Sequence, residues 1–368
     1  MVRLRWGTVL RTGAERPGAV ELRVEVEGGE ADAVAYPGLV GAVAAGDRVL
    51  LNTTAVALGL GTGGVHLVVA VDGAEPGAEP GPGRAMKARY LPLQTQVETV
   101  EETHPTALER PDGLHGTPVV VAPLHSLVAP VAAGARAAGA ERVVYVMTDQ
   151  AALAGPFSRL VPRLRAAGFL DGFVTTGQSF GGDLEAITVW TGLLAATEVL
   201  GADVVVVADG PGNLGTNSRW GVSALASGNS LNAAHALGGR PVAALRVSFA
   251  DERERHRAVS HHSLTILADV CLVPATVAVP SLEEPQRSAV WGALRAARLE
   301  ERHHLVEAAG ESALDALGDA GIAVESMGRS PRDDPAFFLA GGAAGIVAGR
   351  MAVGGRRWRA EGSARTND

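Results

Sequence analysis

Val204-Val205-Val206-Val207-Ala208-Asp209-Gly210-Pro211-Gly212-Asn213-Leu214-Gly215-Thr216 runs from an unbroken apolar stretch straight into an acidic, glycine-rich loop. Apolar runs of this length without alternation suit strands buried on both faces, as in a parallel sheet covered by helices. The same pattern recurs on either side. Val119 to Ala122, Val143 to Met147, Gly172 to Thr175 and Val242 to Val247 read as further strands, with Val270 to Val273 as another candidate. Between them lie helix-like segments: Leu127 to Ala138, Phe157 to Ala167, Leu184 to Leu200, Val222 to Leu237 and Leu264 to Asp269. Strand and helix in alternation predict an α/β fold over residues 117–355, a doubly wound, mostly parallel, Rossmann-like sheet.

The first part of the chain has a different period. Val20-Glu21-Leu22-Arg23-Val24-Glu25-Val26 alternates strictly, Gly46-Asp47 turns into Arg48 to Leu51, and Val65 to Val71 gives another strand. Short alternating strands separated by glycine turns predict a small β-barrel or sandwich over residues 1–104. Residues 72–84, rich in Pro and Gly, read as a flexible excursion, and Met86 to Glu98 as a strand-like return to the same barrel. His104 to Thr117 then forms the boundary.

Late in the chain, Glu284 to Ala309 reads as a charged surface helix carrying His303-His304, and Ile322 to Val324 as a short strand. Asp333-Asp334-Pro335 caps the small-residue helix that follows, and 356–368 reads as a disordered tail. Pro335 to Val353 is apolar but contains Arg350, and its wealth of Gly and Ala suits a tightly packed helix better than a membrane span.

Composition narrows the chemistry. The chain has 368 residues, 47 Gly, 20 Pro and 47% hydrophobic residues, enough for more than one core at roughly 150 residues per domain. Lys87 is the only lysine and Cys271 the only cysteine. A phosphate loop of the G-x-x-x-x-G-K-[ST] type, a cysteine-rich zinc or iron–sulfur site and an intrachain disulfide are therefore excluded. Lys87 reads as a solvated strand position and Cys271, inside an apolar run, as inert packing. A formal net charge of −8, with no long basic run before Arg356, gives no footprint for nucleic acid. The single thiol and the absence of a signal-peptide pattern at the start predict a cytoplasmic protein, with homo-oligomerisation as a further expectation.

In an open α/β sheet the loops at the carboxyl ends of the strands share one edge, where ligands bind. The polar residues that follow each strand should meet there. They are His125 and Ser126; Asp149; then Gln178, Ser179 and Asp183, the last also suited to capping a helix. Gly210, Gly212 and Gly215 satisfy G-x-G-x-x-G and, with Asn213 and Thr216, predict a loop for a phosphate or other anion. Pro211 removes one donor and no acidic residue ends the next strand, so a dinucleotide is the weaker ligand. The densest cluster runs from Ser248 to Ser263 and contains Asp251, His256, His261 and His262, a donor set suited to a divalent metal. Helix capping by Ser260 and a solvated salt-bridged face are the structural alternatives.

Thr176-Gly-Gln-Ser-Phe-Gly-Gly-Asp-Leu-Glu, Gly210-Pro-Gly-Asn-Leu-Gly-Thr and Ser248-Phe-Ala-Asp with Arg255-His256 and Ser260-His261-His262 together resemble a bacterial family of unknown function. The resemblance extends to the Gly46-Asp47 turn, Met86 to Gln94 and Asp334-Pro335-Ala336-Phe337-Phe338, and implies no activity, catalytic residue or cofactor.

The residues themselves predict an enzyme for a small anionic, phosphorylated or nucleotide-like metabolite, a hydrolase or group transferase. Gly210, Gly212, Asn213, Gly215 and Thr216 would hold the anion, and Asp251, His256, His261 and His262 a divalent metal. His125, Asp149, Gln178, Asp183 and Asp251 would complete the catalytic rim. A non-catalytic ligand-binding or assembly protein and a nicotinamide-dependent oxidoreductase are the alternatives.

Overall fold

The computed structural model describes residues 2–59, 64–75, 77, 81–109 and 113–365, of which 356–365 are described as backbone alone. The expected excursion at 72–84 and boundary at 104–117 therefore lie partly outside the described residues. Five strands, β1 (Leu4–Arg16), β2 (Ala19–Val26), β3 (Gly29–Ala35), β4 (Arg48–Asn52) and β5 (His66–Val71), close a barrel in the order β1-β2-β3-β5-β4. Alternation sets its interior: Leu22, Val24 and Val26 point inward with Val49, Leu51 and Val68, while Glu25 faces solvent. Two register shifts bend the long β1, which pairs with both β2 and β4 and so closes the barrel.

Met86 to Glu98 does not return to that barrel. It forms a separate hairpin of β6 (Ala85–Lys87) and β7 (Thr95–Val97), in which Lys87 faces Thr95. Lys87 is correspondingly no solvated residue: it is 2% exposed. Its Nζ donates to the carbonyls of Ser179 (3.0 Å) and Ala186 (2.8 Å) and stands 3.5 Å from Glu185 Oε2. Strand propensity gave no hint of this, because the partners lie about ninety residues away.

The larger sheet has eight strands, all parallel: β8 (Pro118–Val121), β9 (Val143–Thr148), β10 (Gly172–Thr175), β11 (Leu184–Glu185), β12 (Val204–Asp209), β13 (Arg240–Ala244), β16 (Thr276–Pro280) and β17 (His304–Ala308). Their order is β11-β10-β9-β12-β8-β13-β16-β17. The intervening β14 (Val247–Ser248) and β15 (Ala258–Val259) make a small antiparallel ribbon beyond β13. Both faces of the sheet are covered, as the valine runs require. Val204, Val206 and Ala208 pack into one core with helices Val128–Ala137 and Pro335–Arg365, while Val205 and Val207 pack into the other with helix Ala226–Ala236.

Several sequence expectations are corrected at element edges. Val270 to Val273 is not a strand: the helical segment runs to Val270 and the strand is Thr276–Pro280. Short apolar runs do not separate strand from buried helix by period. Leu184–Glu185 is an edge strand, and the helix expected from Leu184 starts at Val189. Glu284 to Ala309 divides into helix Gln286–Ala296 and the edge strand β17. His303 is buried, with Nε2 2.9 Å from the Leu267 carbonyl and Nδ1 accepting from the Ala275 amide. Ile322 and Val324 are buried in irregular chain.

Pro335–Gly355 is long and apolar enough to cross a membrane, but most of it is buried in the protein. Glycine explains how: a Cβ on Gly345 would stand 2.1 Å from the Val131 carbonyl oxygen, so the two helices meet backbone to backbone. Asp334 precedes this helix, yet its carboxylate accepts from Ser248 Oγ (2.6 Å) and the Phe249 amide rather than capping. The helical backbone continues to Arg365, across most of the expected tail, and 366–368 lie outside the described residues.

Candidate functional site

The chain leaves β8, builds β9, β10 and β11 outward on one side, returns to place β12 between β9 and β8, and only then lays down β13 on the other side. The winding reverses around β12, β8 and β13, where such sheets open a crevice at their carboxyl ends. A cavity of about 600 Å³ occupies that position. His125 and Ser126 enter it after β8, the loop Pro211 to Thr216 after β12, and Arg246, Arg255, His256 and His262 after β13, with Arg16 of the barrel closing one side.

The β14–β15 ribbon assembles the histidines. Val247 pairs with Val259 and Ser248 with Ala258, so the loop between them folds back and His256 lies over the start of helix His261–Thr265. The Ser260 amide donates to the Arg246 carbonyl (2.9 Å) and the Arg246 amide to Ser263 Oγ (3.1 Å), tying the helix start to the sheet. Ring centroids lie 5.3 Å apart for His256 and His261, 5.2 Å for His256 and His262, and 3.9 Å for His261 and His262. One nitrogen from each ring falls within 4.8 Å of the others, so the group can hold a metal ion. The Nε2 atoms of His261 and His262 are buried without a hydrogen-bond partner.

Electrostatics keep these rings neutral. Burial, then Arg246 and Arg253, push His256 down to about 3, and burial, then His261 and Arg246, push His262 down to about 4. His261 is lowered by burial, Arg255 and Arg246. A neutral imidazole has a lone pair to offer a metal at neutral pH, whereas an imidazolium does not.

Asp251 is corrected as a ligand. Its carboxylate is 3.0 Å from Arg246, 2.8 Å from Arg253 and 3.6 Å from Arg329. Burial alone would raise its pKa, but hydrogen bonds from Arg253 and the charges of Arg253 and Arg246 hold it well below the usual carboxylate range. It serves as an anchor for arginines and lies outside the histidine group.

The glycine loop reaches the crevice in a form different from the fingerprint. Gly215 bridges Val222 as an antiparallel pair, and the helix begins only at Ala226, so no helix opens directly after the third glycine. The Leu214 amide donates to Ser223 Oγ and the Thr216 amide to the Gly221 carbonyl, which removes two donors from an anion. Gly212 takes φ +100°, a conformation that favours glycine. The loop does adjoin the histidines: a Cβ on Gly215 would lie 3.6 Å from His262 Cε1. Asn213 donates its amide to Asp209 Oδ2 at 2.8 Å and so braces the loop against the strand end.

The other rim residues divide. His125 lines the cavity, but its Nε2 is 2.8 Å from Ser158 Oγ and its Nδ1 3.2 Å from Tyr145 Oη, and burial lowers its pKa to about 4. Ser158 Oγ also accepts the amides of Leu160 and Val161, so this serine–histidine pair is committed to holding a helix start. Asp149 accepts the Gln178 amide (2.8 Å), and Gln178 Oε1 accepts the Arg89 amide (3.1 Å). Asp183 pairs with Arg165 at 2.6 Å and accepts the Phe173 amide, bracing the edge of the sheet rather than capping a helix. None of Asp149, Gln178 and Asp183 lines the cavity.

Three contributors escaped the sequence reading. Arg246 interrupts an apolar run, Arg255 directly precedes His256, and Asp209 ends the most apolar strand. A charged residue interrupting or ending an otherwise apolar run is the signal that could have found Arg246 and Asp209. Asp209 is buried, which raises its pKa, while Thr148 and Asn213 oppose that shift.

The family described as "Protein of unknown function (DUF3866)" matches residues 32–345. No curated protein and no solved structure matches the chain.

Proposed function

The chain belongs to this family of proteins of unknown function, and from that premise we propose that it is a metal-assisted hydrolase or group transferase acting on a small anionic metabolite. The observation that carries the reading is the group His256, His261 and His262, three neutral rings with donor atoms within 4.8 Å, of which His256 and His262 line the crevice. Three histidines leave coordination positions open, and a divalent metal held in that way supplies an activated water or polarises a bound oxygen.

The rest of the crevice supports an anionic partner. Arg16, Arg159, Arg163, Arg246, Arg253 and Arg255 line it, and Glu325 is the one acid lining it among the described residues. A cavity of about 600 Å³ suits a metabolite rather than a macromolecule. Gly212 and Gly215 let the β12 loop approach such a ligand without side chains.

The test is turnover. A panel of phosphate monoesters and anhydrides is offered to the metal-stripped protein with Zn²⁺, Mn²⁺ or Mg²⁺ restored singly. The reading expects release of inorganic phosphate from at least one compound that needs both added metal and His262. Turnover that is indifferent to metal, or none with any compound, contradicts it.

A further inference from the structure

We infer that Arg246 and Arg255 form an oxyanion subsite beside the three histidines, shaped for the phosphoryl group of the substrate. This inference rests on the preceding reading that the ligand is anionic and names its class. Arg246 follows the end of β13, is 8% exposed, and gives a terminal nitrogen to Asp251 at 3.0 Å. Its Nε is buried without an acceptor. Arg255 stands on the turn Glu254–His256, and its Nε is likewise buried without an acceptor. Both side chains line the crevice.

An unsatisfied buried donor is costly, the more so when it is charged, so two of them beside one crevice call for an acceptor from outside the chain. The other arginines of the crevice are already engaged. Arg16 donates to the Pro156 carbonyl and pairs with Glu21, Arg159 also pairs with Glu21, Arg163 reaches the carbonyls of Ala323 and Gly321, and Arg253 forks onto Asp251. Among the described residues lining the crevice, Arg246 and Arg255 are the two whose buried Nε donors are left over. They come from different loops, and two guanidinium groups suit a phosphoryl group with several acceptor oxygens better than one planar carboxylate.

The same arrangement couples the two ligands. A divalent cation on the histidines is repelled by the neighbouring guanidinium groups, and a dianion placed between them reverses the sign of that interaction. Metal should raise phosphate affinity, and by reciprocity phosphate should raise metal affinity by the same factor.

The experiment titrates inorganic phosphate into the full chain, stripped of metal with a chelator, by isothermal calorimetry at low ionic strength. Saturable one-site binding is expected, weakened about tenfold or more in Arg255→Met, as loss of a charge-assisted hydrogen bond implies. Arg287→Met, whose guanidinium pairs with Glu307 away from the crevice, should bind like the parent. If Arg255→Met fails to fold, Arg255→Lys serves, with weakening expected from loss of the Nε donor. Absence of saturable binding, unchanged affinity in both Arg255 variants, or equal weakening in Arg287→Met overturns the subsite. Because no metal is present, failure of the metal reading shows separately, as a lack of metal uptake.

Discussion

Ser260 Oγ lies 2.8 Å from His256 Nδ1 and also accepts the His262 amide at 3.3 Å. One hydroxyl thus supports two of the three rings: it holds the His256 Nδ1 edge, so that a metal taken at Nε2 would set Nδ1–H as the donor to it, and it caps the helix that carries His262. Partners of this kind commonly govern metal affinity as strongly as their modest chemistry allows.

Ser260→Ala should therefore weaken metal binding by about 10–100-fold while leaving all three imidazoles in place. Calorimetric titration with Zn²⁺ measures it. Ser260→Thr, which keeps the hydroxyl, should recover most of the affinity, and an alanine variant that binds like the parent would contradict the role.

His125 predicts a dependence of stability on acidity. Its folded pKa of about 4 lies below its ordinary value of 6.5 because burial disfavours the charged ring. The unfolded chain then binds the extra proton first as pH falls, so the stabilisation is fully present above pH 6.5 and is lost on the way down to about 4, at a cost on the order of 3 kcal/mol. Urea unfolding between pH 7 and 4.5 should show a smaller slope in His125→Gln than in the parent. Equal slopes would mean that His125 is not held neutral by burial.

The Lys87–Glu185 pair predicts an unusually sensitive lysine. Removing one partner of a buried ion pair strands the other, so Lys87→Met should destabilise the fold by about 3 kcal/mol or more in urea unfolding. Adding Glu185→Gln should restore part of that loss. A neutral Lys87→Met, the result for a solvated side chain, would contradict the buried geometry.

Two glycines of the last helix predict opposite signs. Gly345→Ala forces a Cβ to within 2.1 Å of the Val131 carbonyl, and should cost about 1–3 kcal/mol through displaced backbone. Gly354 has nothing within 4 Å of such a Cβ, so Gly354→Ala should gain about 0.5–1 kcal/mol from helix propensity. Thermal unfolding of the two variants separates tight helix packing from composition alone.

What could be read from sequence follows from how local each signal is. The valine runs announced a sheet buried on both faces, because that burial is written in consecutive residues, and the alternation of Val20 to Val26 likewise announced the barrel. Lys87 could not be placed, since its environment is made by Ser179, Glu185 and Ala186. The site divides the same way. His256, His261 and His262 stood out through their density, but Asp251 reads like a ligand in sequence and becomes an arginine anchor once the local fold turns Arg246 and Arg253 onto it and Arg329 arrives from a distant segment. The glycine motif matched in spacing while the chain between Gly215 and Val222 folded into a bridge that no spacing rule contains.

Metal uptake by the histidine group tests the central claim most directly. The purified full chain, stripped and dialysed against Zn²⁺, Mn²⁺ or Mg²⁺, is analysed for bound element beside a His261→Ala/His262→Ala variant whose fold is checked by circular dichroism. One metal ion per chain in the parent and none in the folded variant is the predicted result. A parent free of all three metals at saturating concentration, or a variant that keeps the same stoichiometry, would contradict it.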